Sequence, residues 1–527
     1  MSDTISRRSF VNMVGRAGGA SAVYSTMAAM GLLHTPGAYA GPPQLAKDAG
    51  AGRRVLILGS GVAGMSAAYE LGKAGFQCRI LEARARSGGR VWTVRGGDTI
   101  EEQASRQVVG WDKSPHLYFN LGPARLPNHH KAVLGYCRQF GVPLEILIND
   151  NRGAYFQDDK AFDGKPQLSR HVHGSVRGFI AEMAAKSIER TALEQTLSDE
   201  DRQRLSEMIR RFGALNRDLV YKGSSRAGYS ETPGGGMQAG TLRDPLDFRQ
   251  LLRGDIWRDS LQFGEGYEQA ATMMQPVGGM DAIARAFTRA IGPIVTYNAE
   301  VKEIRRSGES ARVVWRDKSK GAESVETADF VICTLPFPVL RTIAADFSQA
   351  VTAAMAAPDY VSAVKVAFEA QRRFWELDHA IYGGITWTSR DVTQMWYPPS
   401  NIHGQKGIIV GAYIWSNDIG DKFGAMSPAE RNAATIADAK YIHPDFDKHV
   451  AKGASVAWAK VPYAMGGWCE WTRDQRRNHY EVLTKADGPF YFAGEHVSWI
   501  NGWQEGAILS AHHAAKQIAA RAGVKKA

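Results

Sequence analysis

The stretch RRVLILGSGVAGMSAAYELGKAGFQCRILEA, residues 53–83, constrains the fold more tightly than any other part of the chain. The apolar run Val55 to Leu58 predicts a buried strand, Gly59-Ser60-Gly61-Val62-Ala63-Gly64 a tight turn, and Met65 to Lys73 a helix. A second strand follows and ends at Glu82, 23 positions after Gly59. A lone G-x-G-x-x-G carries little information. Here strand, helix and terminal acid all stand where a dinucleotide-binding β-α-β unit needs them. The glycines let the backbone approach a pyrophosphate, the helix N-terminus offers N–H groups and positive potential, and the carboxylate accepts from a ribose hydroxyl.

Two further segments extend this site. ARSGGRVWT, immediately downstream, places flexible backbone and the guanidinium of Arg90 beside the same phosphate edge. Near the other end of the chain, PFYFAGEHVSWINGWQEGAILSAHHAA reads as an apolar strand, then Gly494-Glu495, then a turn opening a helix. Its glutamate can serve another polar group of a large cofactor, and its helix N-terminus an electron-rich ring edge. The two ends of the sequence are therefore expected to build one site.

With 527 residues and 44% hydrophobic content, the chain is long enough for more than one domain. Its N-terminus carries SRRSFV, a short apolar run interrupted by Gly, Ser and Thr, and Ala38-Tyr39-Ala40. Basic start, apolar middle and A-x-A end predict a secretory signal over residues 1–40, and paired Arg7 and Arg8 make it a twin-arginine one. That route exports folded proteins, often because a cofactor is loaded beforehand. The formal net charge of +10 falls to +8 once Arg7, Arg8, Arg16 and Asp3 are removed, a weak preference for anionic ligands. No dense Lys/Arg tract with interleaved aromatics is present, which speaks against nucleic-acid binding. Cys78, Cys137, Cys333 and Cys469 lack C-x-x-C spacing, so no metal ligand set is predicted. Pairing of these thiols in an oxidising compartment and burial as free thiols both remain open.

Between the two ends lies a helical, charge-rich stretch, roughly 170–220, then a meander of strands in IVTYNAEVKEIRRSGESARVVWRD and a buried strand in ADFVICTLPFPVL. LGPARLPNHH makes a rigid turn around Arg125, a cation with little acidic company nearby. Lys365 sits in a strand whose alternate residues are apolar, a place that demands a partner for its amine.

In their order, VLILGSGVAGMSAAYEL, LEARARSGGRVWT, LGPARLP, QPVGGMDAIARAF, NAEV, CTLPFPVLR, KVAFEAQRRFW, YAMGG and YFAGEH…GWQEGA resemble the flavin-containing amine oxidases, most closely bacterial L-amino-acid oxidases. The resemblance implies a mixed α/β and α+β fold: a Rossmann-like FAD-binding domain, a mixed-sheet substrate domain and a helical insertion. Expected boundaries are the signal 1–40, a linker 41–52, FAD-binding parts 53–105, 269–347 and 480–522, substrate-domain parts 106–168 and 348–479, and the insertion 169–268. It implies cofactor contacts from Gly59, Gly61, Ala63, Gly64, Glu82, Ala83, Arg84, Gly89, Arg90, Gly122, Pro123, Ala124, Arg125, Val301, Gly494, Glu495, Gly502 and Trp503.

The same resemblance assigns Arg125 and the Tyr413 hydroxyl to a substrate carboxylate, and a planar guanidinium suits that partner. Gly502 would offer a carbonyl to the amine and Trp503 a wall, while Lys365 would hold a water where oxygen reacts. The implied chemistry is hydride transfer from the Cα of an L-amino acid with a neutral amine, giving an imino acid that hydrolyses to a 2-oxo acid and ammonia, then reoxidation by molecular oxygen to hydrogen peroxide. Monoamine oxidases attach flavin through a cysteine directly after Gly-Gly. Here Trp468 takes that place and Cys469 follows, so FAD is expected to bind non-covalently. His171 and His173 do not align securely with the histidine some relatives use, and Trp387, Trp396, Trp415 and Trp499 suggest an aromatic pocket. An amide-forming 2-monooxygenase, an oxidase of simple amines and a flavin-binding protein without turnover are the alternatives. A periplasmic or secreted location, passage through the Tat machinery, no membrane span in the mature form and a homodimer are expected.

Overall fold

The computed structural model describes Tyr39 and residues 41–188, 198–258 and 260–523; apart from Tyr39, the expected signal lies outside the described residues. Five parallel strands form the first sheet, in the order Val295–Thr296, Gln77–Leu81, Arg54–Leu58, Phe330–Cys333 and Phe490–Phe492. Segments far apart in sequence thus become neighbours. Val331 and Val55 to Leu58 are buried, as expected for strands covered on both faces. One face carries the helix Val62–Lys73, which packs on the helices Asp281–Ile291 and Gln504–Gly523. On the other lies the antiparallel meander Ala299–Ser307, Ser310–Asp317 and Glu323–Ala328, whose Val301, Ile304, Val313 and Trp315 share a core with Leu56, Val331 and Phe490.

The first helix begins at Val62, three residues before the expected Met65. Gly64 is therefore already helical, and the reason is steric. A Cβ there would stand 2.1 Å from the Gly59 carbonyl oxygen and 3.1 Å from Ile57 Cγ2, so only glycine lets the first turn pack this closely on the strand.

A seven-stranded mixed sheet forms the second layer, ordered Gln167–Leu168, Tyr155–Gln157, Ile385–Thr388, Gln394–Trp396, Gly407–Ile414, Val364–Ala370, Val450–Ala457. Every residue of Val364–Ala370 is buried. The two-residue period sends Val364, Val366 and Phe368 into one core, and Lys365 faces Tyr413 directly across the strand pair. Glu102 and Arg431 form a buried bidentate pair, 2.7 and 2.8 Å, and Glu102 also accepts from the Ala457 N–H at 2.7 Å. Beneath the sheet, Tyr155, His379, His443 and Tyr397 form a hydrogen-bonded chain with contacts of 3.1, 3.3 and 2.8 Å.

The insertion contains the helices Ser169–Ile188, Asp199–Gly213 and Phe248–Arg253. Asp199–Gly213 opens on a capping box between Ser198 and Asp201, with acids in the first turn and Arg210 and Arg211 in the last, matching the helix dipole. All four cysteines are free thiols, and burial raises the Cys78 and Cys137 pKa values to about 12. Among the described residues no helix is long and apolar enough to cross a membrane.

Candidate active site

The sheet's strand ends and the glycine turn open into a cavity of about 460 Å³. Gly59, Gly61, Ala63, Glu82, Ala83, Arg84, Gly89, Arg90, Gly122, Pro123, Val301, Gly494, Glu495, Gly502 and Trp503 line it, together with Lys365, Tyr413 and Trp468. Gly64 and Ala124 are not in that lining. The first packs helix on strand, and the second lies in a smaller apolar cavity behind Lys365. Ser60 donates its N–H and hydroxyl to Glu82 Oε2 at 2.9 and 2.8 Å, and the Arg84 N–H donates to Oε1 at 2.9 Å. A carboxylate has about four acceptor positions, so one stays available to a ribose hydroxyl. At the opposite end, Arg90 donates to Glu495 at 2.8 Å and to the Gly467 carbonyl at 2.9 Å, while Glu495 receives the Gly502 N–H at 2.8 Å. First and last segments of the chain meet in that ion pair.

Two observations fit this cavity to a large dinucleotide. A Cβ on Gly61 would meet nothing within 4 Å, leaving open space against the backbone. Gln504, 7% exposed at the start of the last helix, lines the cavity with both amide atoms buried and without hydrogen-bond partners. A buried amide left so costs about 1–3 kcal/mol, which a polar ligand would recover.

Arg125 adjoins the cavity without lining it. Its side chain is 7% exposed and has no acidic partner among the described residues; its one hydrogen bond runs from Nη1 to Asn149 Oδ1 at 3.0 Å. Aromatic rings enclose the guanidinium: Trp396 at 4.6 Å, Phe263 at 5.4 Å, Trp415 at 5.7 Å and Trp503 at 5.9 Å from Cζ. Cation–π attraction offsets part of the desolvation. Burial still lowers the Arg125 pKa to about 10, opposed by Tyr413. Trp387 joins this aromatic cluster through Phe263, 4.8 Å away, whereas Trp499 is 72% exposed and stacks near Arg476 and Tyr480. The expected aromatic wall thus omits Trp499, whose ring packs against Arg476 and Tyr480 at the surface instead.

Lys365 is 3% exposed and also lacks an acidic partner among the described residues. Its Nζ donates to the carbonyls of Asn120 at 3.0 Å and Gly122 at 2.5 Å and lies 4.3 Å over the Tyr413 ring. Burial, with the nearby Arg125 charge, pushes its pKa well below the ordinary lysine value. Burial raises the Tyr413 pKa, which Arg125 opposes. His173 places both ring nitrogens on backbone carbonyls, Ser169 at 2.8 Å and Leu261 at 2.9 Å, and His171 contacts the Asp244 carbonyl at 2.8 Å; neither lines the cavity.

Asn149, Phe263 and Gln504 are not singled out by sequence. Only Gln504 leaves a local signal, an amide at the first position of a helix whose next turns are apolar. Asn149 and Phe263 come to Arg125 from other segments and have none.

A parallel sheet whose glycine turn borders a deep cavity, beside an arginine held in an aromatic cage, has the build of a dinucleotide-binding protein. Comparison narrows the class: residues 62–519 match the flavin containing amine oxidoreductases, and the chain belongs to that family, which implies a flavin cofactor. Among curated proteins, YobN of Bacillus subtilis (strain 168) is 28% identical over 489 residues, covering 88% of this chain and 94% of that protein. An L-amino-acid oxidase of Pseudechis australis is 27% identical over 486 residues, covering 88% and 86%. Putrescine oxidase bound to putrescine superimposes with a TM-score of 0.60 at 17% identity, over 89% of this chain and 99% of that one. Cyclohexylamine oxidase from Brevibacterium oxydans IH-35A gives 0.58 at 16%, over the same shares. These likenesses show the same fold.

Proposed function

We propose that the protein is an exported, FAD-dependent L-amino-acid oxidase that turns an L-amino acid, oxygen and water into a 2-oxo acid, ammonia and hydrogen peroxide. The observation that carries this reading is Arg125, a buried guanidinium caged by rings and without an acidic partner among the described residues. An oxidase of simple amines has no use for such a cation. A carboxylate does, because two parallel N–H···O bonds neutralise the charge in a dry site.

Each residue then has a task. Arg125 and the Tyr413 hydroxyl fix the carboxylate, and Trp396, Trp415, Phe263 and Trp503 exclude water around it. Lys365 donates to the Asn120 and Gly122 carbonyls, and burial beside Arg125 lowers its pKa, which eases transfer of a proton to and from its amine. Glu82, Arg84, Arg90, Gln504 and the glycine backbone would hold FAD, which when bound supplies the two-electron acceptor and its reoxidation by oxygen. Trp468 lines the cavity and Cys469 does not, which supports non-covalent attachment. The paired Arg7 and Arg8 support Tat export to the periplasm or medium.

Anaerobic mixing of the yellow protein with L-phenylalanine, L-leucine, L-glutamine, L-lysine, their D-isomers and phenethylamine tests the reaction. Bleaching by an L-acid alone, with peroxide and 2-oxo acid on readmitting air, is expected. Equal bleaching by phenethylamine overturns it, and amide formation replaces oxidase by 2-monooxygenase.

A further inference from the structure

His129 and His130 end the loop that starts at Arg125, and both Nε2 atoms converge on one oxygen of Glu268. Glu268 Oε2 lies 2.6 Å from His130 and 3.2 Å from His129, and the three donor atoms stand within 4.8 Å of one another. We propose that His129, His130 and Glu268 bind one divalent cation of the zinc class, and that this ion clasps the segment 263–269 onto the loop carrying Arg125.

Donor set and spacing agree with such an ion. Zinc takes imidazole nitrogen at about 2.0–2.1 Å and carboxylate oxygen at about 2.0–2.2 Å, so tetrahedral ligands lie about 3.4 Å apart. The two histidine–Glu268 separations, 2.6 and 3.2 Å, fall short of that value, and modest side-chain shifts would open them to it. Two imidazoles and one carboxylate favour zinc over magnesium or calcium, and leave a fourth position for water. Tyr267 packs 4.1 Å from the His129 ring and Trp503 stands edge-on, 5.0 Å from His130, so both imidazoles are held in place. His130 is buried, while the partly exposed His129 and Glu268 give the ion a way in.

Position gives the ion its consequence. On the loop side, Glu505 accepts the N–H groups of Ala132 and Val133 at 2.9 Å each, anchoring the start of the helix Lys131–Gln139 just after the two histidines. On the segment side, Phe263 faces Arg125, and the Gln269 carbonyl accepts Asn149 Nδ2 at 2.9 Å while Asn149 Oδ1 holds Arg125. Inner contacts of the segment thus shape the Arg125 cage, and Glu268 closes it from outside. An ion there ties the two strips of chain together and slows their separation.

Full-length, FAD-loaded protein is stripped with chelator, incubated with Zn²⁺, gel-filtered and assayed for metal, and Co²⁺ is added to a second sample. One Zn²⁺ per chain is expected, with tetrahedral Co²⁺ absorption beyond the red edge of the flavin spectrum. His129→Gln and Glu268→Gln each weaken binding by at least the roughly 10–100-fold that loss of a mere outer-shell partner causes. Substoichiometric uptake by the wild type, or unchanged binding in both variants, overturns the site and leaves a carboxylate shared by two imidazoles. Zn²⁺ is also expected to slow the association phase of anaerobic flavin reduction, and saturation without that slowing overturns the clasp. Metal uptake is read without substrate, so it stands independently of the proposed reaction.

Discussion

Arg125→Met keeps the bulk of the side chain in its aromatic cage and removes the charge. Burial lowers the Arg125 pKa from 12.5 to about 10, which at 1.36 kcal/mol per tenfold is about 3 kcal/mol of electrostatic penalty in the free protein. A carboxylate that pairs with the guanidinium recovers that penalty, and the variant offers no recovery. The second-order constant for anaerobic flavin reduction by the best L-amino acid should therefore fall by at least about 150-fold. Loss of the bidentate hydrogen bonds deepens the fall. Phenethylamine, which brings no carboxylate, should gain or stay level. Without substrate the variant should melt no lower than the wild type, because an uncompensated buried charge has gone, although Asn149 Oδ1 loses its donor. Stopped-flow reduction with both substrates, beside thermal melts, is the assay. A loss below about tenfold, or equal losses for acid and amine, would refute the assignment of Arg125 to a carboxylate.

Lys365→Met should leave reduction by substrate largely intact and slow reoxidation by air on the order of 100-fold, read as recovery of flavin absorbance after oxygen pulses; equal slowing of both half-reactions would speak for a packing role. Gly64→Ala brings a Cβ to 2.1 Å from the Gly59 carbonyl, so the variant should purify with little flavin and lose about 1–3 kcal/mol in urea unfolding. Glu102→Gln breaks the bidentate pair with the buried Arg431 and should lower stability by about 3–5 kcal/mol without altering the flavin spectrum. Burial lowers the pKa values of His443 and His496 to about 3 and of His512 to about 4, below the unfolded 6.5. The unfolded chain therefore binds protons that the native state refuses, so stability is complete above pH 6.5 and drains as pH falls toward 4. At pH 5 each histidine accounts for about 2 kcal/mol, and a urea midpoint unchanged between pH 7.5 and pH 5 would contradict this.

What the sequence discloses depends on how far apart the partners are. The unit from Arg54 to Glu82 is legible because strand, glycine turn, helix and acid are joined by short-range geometry; even there the pattern puts the helix start three residues late, since a glycine forced by the contact between Gly64 and Gly59 reads as turn. That the segments of Arg90 and Glu495 share one site is legible because each carries its own local pattern, whereas their direct ion pair is not. Asn149 reaches Arg125 from the segment after the strand Leu144–Leu147, and Phe263 and Glu268 reach Arg125 and its loop from the end of the insertion, meetings that no local periodicity encodes. Tryptophans could be counted but not aimed: Trp396 and Trp415 turn inward while Trp499 turns out.

The strand Phe490–Phe492 is the outer member of the parallel sheet, and Glu495 and Gln504 follow it in the last 40 residues. In time this means that the proposed cradle for the cofactor closes only after Glu495 and Gln504 have left the ribosome. Nascent protein can shape the glycine turn early, yet it has neither the Arg90 counter-ion nor the helix Gln504–Gly523 until those residues emerge. Retained flavin is thus a sign that synthesis has passed Gln504. A chain ending before Phe490 should be colourless even where most of its core has formed, and the colour of a preparation reports the fraction of molecules that extend through Gln504.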